Sequence, residues 1–202
     1  MTKPTARHAL AGDLPALETA LAMAFADDPM ILWVTGLADR ERRIEASAPG
    51  FFRPALAAGI QRGHLYTVDG CGGGALWTPP DVRPFREDEG AAFGAAIHEH
   101  LGEAATGRLV TLGEFVASHH PHDVAHFYLF LLGAAAQGRG IGATVIRPVL
   151  DRCDADGLPA YLESSSEQNL SFYARHGFRQ LWEDRPAPDG PTFRGMWRDP
   201  QR

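Results

Sequence analysis

The sequence predicts an α/β (α+β) protein, one domain over residues 1–202, and three stretches carry that prediction. Residues 126–133 (His-Phe-Tyr-Leu-Phe-Leu-Leu-Gly) are almost continuously apolar and aromatic, as a strand covered on both faces must be. A glycine-rich turn follows and opens a helical repeat, with Ile141, Val145, Val149 and Cys153 at four-residue spacing and Ile146 and Leu150 on the same side. Earlier in the chain two apolar runs, residues 64–68 and 74–78, flank Asp69-Gly70-Cys71-Gly72-Gly73, a turn cluster that marks a hairpin.

The remaining elements follow in order. Residues 6–10 read as a short edge strand. Asp13 is the N-cap of a helix running to about residue 26, with Pro15 tolerated in its first turn, and Asp27, Asp28 and Pro29 mark the turn after it. A second helical stretch covers residues 39–61. After the hairpin, residues 87–120 return to helix, broken near Gly107 and ended by Pro121. Pro148 removes a backbone donor and clashes with the preceding turn, which predicts a kink or an early end to the helix that holds it. Residues 160–163 form a short strand. Residues 167–176 form a helix closed by Gly177, with Phe178 as the apolar residue that follows such a cap. Two last strands, near residues 178–182 and 192–197, flank a turn at 186–191.

Composition narrows the function. With 45% hydrophobic and 22% charged residues, a chain of 202 residues buries a sizeable core, which excludes disorder and fibrous repetition. The net charge is −6, the single lysine is Lys3 and the arginines are scattered, so no basic face exists for a phosphate backbone and nucleic acid is not an expected partner. The first residues lack the apolar core of a secretory leader, and no stretch reaches the roughly 18 apolar residues of a membrane span, so a cytoplasmic protein without membrane attachment is expected. Two cysteines, Cys71 and Cys153, make no disulfide framework, in keeping with a reducing compartment. His98, His100, His119, His120, His122 and His126 crowd one region, yet Pro121 interrupts them and no helical His pair comes with a carboxylate, so no metal is expected. These histidines either line a substrate cleft or are solvated.

The strand, glycine turn and helix of residues 126–153 carry the chemistry. Gly138, Gly140 and Gly142 let the backbone approach a ligand and aim several amides at one place. The unpaired N–H groups and partial positive charge of a helix N-terminus suit a phosphate or diphosphate, and Arg139 adds a charge-assisted contact. A dinucleotide-binding reading competes: Gly138, Gly140 and Ala143 satisfy G-x-G-x-x-A, and Glu163 lies where the ribose-binding acid belongs, which would make the chain a nicotinamide-dependent oxidoreductase. Such a fold begins with that turn, however, and only 60 residues follow Gly142, reading as βαββ. The rest of a dinucleotide sheet cannot be built from them.

The spacing Gln137-x-x-Gly140-x-Gly142, after strand residues Leu131, Leu132 and Gly133, is joined downstream by Asn169-x-x-Phe172-Tyr173-x-Arg175-x-Gly177-Phe178. Together these resemble the coenzyme A-binding motifs of the GNAT superfamily of N-acetyltransferases. Ala134, Ala135 and Ala136 stand where many members carry Val-x-Pro. The resemblance implies a mixed, centrally splayed β-sheet flanked by helices, with acetyl-CoA as co-substrate and a small-molecule or peptide amine as acceptor; whether the chain forms a homodimer stays open. It assigns cofactor contact to Leu131, Leu132, Gly133, Ala134, Gln137, Gly138, Arg139, Gly140, Ile141, Gly142, Ala143, Asn169, Phe172, Tyr173 and Arg175.

The resemblance also implies direct attack of the amine on the thioester in a ternary complex, with a backbone amide near Leu132–Ala134 polarising the carbonyl. Neither cysteine suits a nucleophile: Cys71 sits in a turn and Cys153 on an apolar helix stripe. Tyr173 is the expected general acid for the departing thiolate, and either Glu163 or His126 the base that deprotonates the acceptor. Phe25, Asp28 and Trp33, between the first two helices, and Trp77 at the end of the hairpin are the expected acceptor-site residues, with Asp27 beside Asp28 as a second acid able to attract an amine. A coenzyme A-binding module without turnover is the non-enzymatic alternative.

Overall fold

A computed structural model of the chain describes residues 4–80 and 82–201; Met1, Thr2, Lys3, Asp81 and Arg202 lie outside the described residues, and with them the start of the segment read above for a leader. Seven strands form one sheet: β1 (Ala6–His8), β2 (Leu65–Val68), β3 (Gly73–Thr78), β4 (Phe127–Ala134), β5 (Ala160–Ser164), β6 (Arg179–Asp184) and β7 (Phe193–Arg198), in the order β1-β2-β3-β4-β5-β7-β6. The hairpin and the edge strand are where the sequence predicts them. Every neighbouring pair is antiparallel except β4 with β5.

That exception positions the site. β4 and β5 pair only through Phe127 with Ala160 and Tyr128 with Tyr161, while β4 continues to Ala134 and β5 to Ser164. The sheet is therefore splayed at its centre, and the facing edges of the two strands have no ladder partner beyond that point. On its other side β4 carries one extra residue. Leu131 opposes Leu76 and Leu129 opposes Trp77, so Phe130 is bulged out of the ladder. The bulge resets the alternation of side chains. Before it, Phe127 and Leu129 pack on one face of the sheet; after it, Leu131 packs on the other.

Helices cover both faces. α1 (Leu14–Phe25), α2 (Pro29–Thr35), α3 (Arg40–Ser47), α4 (Arg53–Gln61) and α5 (Glu87–His119) bury one core, built around Leu17, Leu21, Phe52, Leu56 and Ile97. α6 (Ile141–Asp156) and α7 (Leu170–Arg175) bury the other, around Val145, Ile146, Leu162 and Met196. A π-helical segment, Ala48–Phe52, joins α3 to α4 so that residues 40–61 run as one helical stretch. Among the described residues no helix is long and apolar enough to cross a membrane.

Three local expectations change. The turn at Asp27-Asp28-Pro29 opens an additional helix, α2, because the Asp28 carboxylate accepts from Met30 N at 2.9 Å and Pro29 suits the first helical turn. The break in α5 falls at Gly102, with φ +83° and ψ −178°, and Gly107 remains helical. Pro148 neither shortens α6 nor ends it: the helix closes nine residues later on Gly157 at φ +68°. Val145, Ile146, Val149, Leu150 and Cys153 are all buried under the sheet, and that packing outweighs the roughly 3 kcal/mol that an interior proline costs.

Candidate functional site

The turn between β4 and α6 is open. Gly138 and Gly140 have φ +74° and +72°, which side chains with a Cβ rarely adopt, and a Cβ at either would meet nothing within 4 Å. Residues 135–140 are exposed. Among the described residues none of the amides from Gly138 to Ala143 donates to a turn or loop carbonyl, whereas Thr144 N reaches Gly140 O at 3.0 Å and begins the helix. Phe172 of α7 borders the turn, 3.5 Å from where a Cβ of Gly142 would lie. Gln137, Arg139, Ile141 and Ala143 sit on this turn and first helical turn, Asn169 at the N-cap of α7, and Arg175 at its exposed end. A concave set of free amides at the N-terminus of a sixteen-residue helix fits a diphosphate, so the residues present suit coenzyme A. Gly133 serves a different purpose: a Cβ there would come 2.8 Å from both Leu21 and Phe25, so the glycine lets α1 lie close on β4.

The splay opens into a cleft of about 890 Å³ that reaches from Leu131 and Leu132, past Ser164, Ser165 and Tyr173, to Val116 and Phe193. Tyr173 is buried on α7 and faces this cleft. Burial first, and the Asp28 carboxylate second, push its phenol well above the usual tyrosine value, so the proton stays on the oxygen. Asp28 itself accepts from Ser165 Oγ at 2.6 Å, which ties the α1–α2 corner to the segment after β5. Its pKa is raised because burial outweighs that hydrogen bond and the one from Met30 N.

Glu163 and Tyr161 alternate with Leu162 along β5. Leu162 packs under α6, and Tyr161 joins Tyr128 and Trp197 in a cluster on the opposite face. The Glu163 side chain lines the cleft and is only 4% exposed, and its Oε1 has no hydrogen-bond partner among the described residues. His120, the residue that ends α5, puts Nδ1 3.9 Å from that oxygen and Nε2 3.1 Å from His126 Nε2. His126 Nδ1 lies 2.7 Å from Val124 O and must donate to it, since a carbonyl only accepts. The network then fixes the His126 tautomer. His126 Nε2 accepts from His120 Nε2, and His120 Nδ1 faces the Glu163 carboxylate. Burial also lowers the His126 pKa from its ordinary value, so this imidazole is neutral near pH 7. The same burial, together with the nearby Glu163 carboxylate, keeps Tyr128 and Tyr161 protonated.

The structure thus gathers Phe25, Asp28, Leu131, Leu132, His126, Glu163, Asn169 and Tyr173 around one cleft. It does not bring in the two tryptophans. Trp77 is buried beneath α6 with Val68, Ala75 and Leu129, and Trp33 packs behind the cleft wall against Val34, Leu112, Phe115 and Phe193. Asp27 is occupied outside the cleft by Arg40 and by the buried Arg43, whose guanidinium also donates to Ala26 O and so fixes the α1–α2 corner. Among the described residues no group of three or more His, Cys, Asp or Glu side chains is arranged to hold a metal ion. Sequence reasoning left His120 undistinguished among its neighbours and missed Ser165. The signal for His120 was present: Leu109, Leu112, Val116 and His120 recur at helical spacing and form one face of α5.

The sequence profile described as Acetyltransferase (GNAT) domain matches residues 92–198, just over half of the chain. An uncharacterised N-acetyltransferase of Schizosaccharomyces pombe is 26% identical over 185 residues, 86% of this chain and 73% of that protein. Glucosamine 6-phosphate N-acetyltransferase 1 of Oryza sativa subsp. japonica is 31% identical over 134 residues, 62% of this chain and 79% of that protein. Among solved structures, a Corynebacterium glutamicum protein described as histone acetyltransferase HPA2 and related acetyltransferase superposes with a TM-score of 0.67 at 22% identity, covering 100% of this chain and 98% of the other. A polyamine N-acetyltransferase of Drosophila melanogaster superposes with a TM-score of 0.65 at 14% identity, covering 97% and 99%. At those identities the likeness is one of fold.

Proposed function

This chain belongs to the GNAT acetyltransferases, and from that premise we propose that it transfers an acetyl group from acetyl-CoA to an amine bound against Glu163. The observation that carries the proposal is the buried Glu163 Oε1, which lines the cleft 3.9 Å from His120 Nδ1 and has no hydrogen-bond partner among the described residues. An amine fits there because it brings the donor that this oxygen lacks, and a buried carboxylate accepts one of its protons.

Acetyl-CoA supplies the acetyl group as a thioester, from which an amine takes the acyl carbon while the thiol departs. The chain's own residues hold and prepare the reactants. The amides of Gly138, Arg139, Gly140, Ile141, Gly142 and Ala143, with Gln137 beside them, grip the diphosphate. The free edge of β4 from Leu131 to Ala134 offers backbone groups to the pantetheine arm, with Asn169, Phe172 and Arg175 on the α7 side. Holding both reactants in one cleft is worth up to ~7–11 kcal/mol of the barrier. Glu163 takes the proton from the acceptor nitrogen, and neutral His126, through His120, supplies the route along which it leaves. Tyr173 keeps its proton on Oη until negative charge develops on the sulfur, whose own affinity for a proton rises in the same low-dielectric surroundings. Phe25 and Asp28 form part of the acceptor wall. Unpaired Cys71 and Cys153 support a cytoplasmic setting.

The test is release of free thiol from acetyl-CoA in the presence of a mixed amine library. The wild-type chain is expected to release thiol well above its rate without amine. Glu163→Gln is expected to lower kcat by about 10²–10⁴-fold, and Tyr173→Phe by about 10²-fold, with KM for acetyl-CoA little changed. Wild-type turnover in Glu163→Gln overturns the assignment of the base.

A further inference from the structure

From Leu109 onward α5 lines the cleft with Leu109, Leu112, Gly113, Val116 and Ala117, followed by His120 just past the helix end. Their spacing of three and four residues makes a single stripe, which ends at the imidazole 3.9 Å from Glu163 Oε1. From Leu109 to the helix end the stripe extends roughly 15 Å at 1.5 Å per residue. Phe85 and Phe193 flank it, from the segment before α5 and from β7. Phe85 is held there by Arg62, which donates to the carbonyls of Arg83 and Pro84 at 2.9 and 3.1 Å and pairs with Glu89. The wall leading away from the amine gap is therefore apolar, long and braced.

The charges around it are few. Arg83 is the one lysine or arginine lining the cleft among the described residues, and it is exposed on the loop before α5. A phosphate ester on the acceptor would meet no cluster of donors. Of the two carboxyl groups, Asp28 is already engaged by Ser165 and Met30 N, which leaves Glu163 to receive a cation. A second ammonium on the acceptor would then lie against apolar wall at a large desolvation cost.

We infer that the acceptor is a primary amine carried on an apolar body, an arylalkyl or long alkyl group, with the nitrogen between Glu163 and His120 and the body along the α5 stripe against Phe85 and Phe193. This rests on the transfer reading above. The ammonium nitrogen gains the acetyl group and gives up two protons, one to Glu163 before attack and one as the amide forms, which balances the proton that Tyr173 gives to the departing thiolate; the coenzyme leaves as the thiol, and the product is an uncharged amide that lies on the same wall without an ionic tether.

The experiment measures thiol release by the full chain at saturating acetyl-CoA with 4-phenylbutylamine, n-hexylamine, spermidine, glucosamine 6-phosphate and a lysine-containing peptide. Calorimetric binding of each amine, without acetyl-CoA, provides a second readout. The two apolar amines are expected to exceed the other three in kcat/KM by at least about tenfold, and to be the ones that bind with measurable heat. Two substitutions test the wall. A side chain at Gly113 would enter open space on a helix that loses nothing by replacing glycine, so Gly113→Phe is expected to cut kcat/KM for 4-phenylbutylamine by about tenfold or more while coenzyme A binding stays within about twofold. Val116→Glu is expected to shift preference from n-hexylamine toward spermidine. Preference of the wild-type chain for the phosphosugar, the polyamine or the peptide overturns the inference, as does an unchanged amine profile in both variants. Failure to release thiol with any of the five amines or with any amine of the library defeats the transfer reading itself and this inference with it.

Discussion

His126 illustrates how a single buried side chain sets a pH dependence. Its imidazole is enclosed by Tyr161 and Trp197 rings, and burial lowers its pKa below the ordinary 6.5. The unfolded chain therefore binds a proton at this residue that the folded chain resists, through the window that begins near pH 6.5 and runs downward to the lowered value. Stability rises with pH across that window and falls as pH drops through it. Urea midpoints measured at pH 7.5 and 5.5 should show the loss at the lower pH, and His126→Gln should flatten that part of the dependence; an equally steep slope in the variant would remove His126 as its source. The position of His126 at the start of an apolar strand was legible in the sequence. The partnership with His120 was not, because residues six apart across a proline meet only once α5 ends and β4 begins.

At the scale of elements, the sequence conveyed most where one residue type has one physical use. The left-handed cap at Gly177, the hairpin, and the order of strand, glycine turn and helix all follow from such residues. It conveyed least where packing decides between equals. Gly102 and Gly107 lie on the same long helix, and nothing local distinguishes them; Gly102 takes φ +83° because α5 changes direction there, between its contacts with the π-helical segment and the wall of the cleft. A Cβ at Gly102 meets nothing within 4 Å, so the cost of replacing it is one of backbone conformation alone. Gly102→Ala should destabilise the fold by ~1–3 kcal/mol in denaturant titration, whereas Gly107→Ala should be neutral or stabilising. Equal effects at the two positions would contradict a break at Gly102. Likewise, the bulge at Phe130 has no sequence signature, yet it turns Leu131 and Gly133 toward α1 and leaves Leu132 on the face of α6.

On the scale of the whole molecule, one division of labour explains the arrangement. Strands β4 and β5 meet for two residue pairs and then part, so that the free strand edges and the carboxylate of Glu163 open onto one continuous space between the two cores. Both motifs to which we assign the coenzyme were legible in the chain, since they are local in sequence. The proposed acceptor side was legible only in fragments, because the cleft is assembled from α1, α5, β5 and β7, and two aromatic residues expected there, Trp33 and Trp77, serve cores on either side instead. The claim on which all else depends is that the turn from residue 137 to 143 grips coenzyme A. Isothermal titration of coenzyme A into the wild-type chain and into Gly140→Val tests it most directly, because residue 140 needs φ +72° and its surroundings are otherwise empty. The account predicts saturable one-to-one binding to the wild type and affinity weakened by at least about tenfold, or ~1.4 kcal/mol, in a folded variant; equal affinity for the two proteins, or no saturable binding to the wild type, would contradict it.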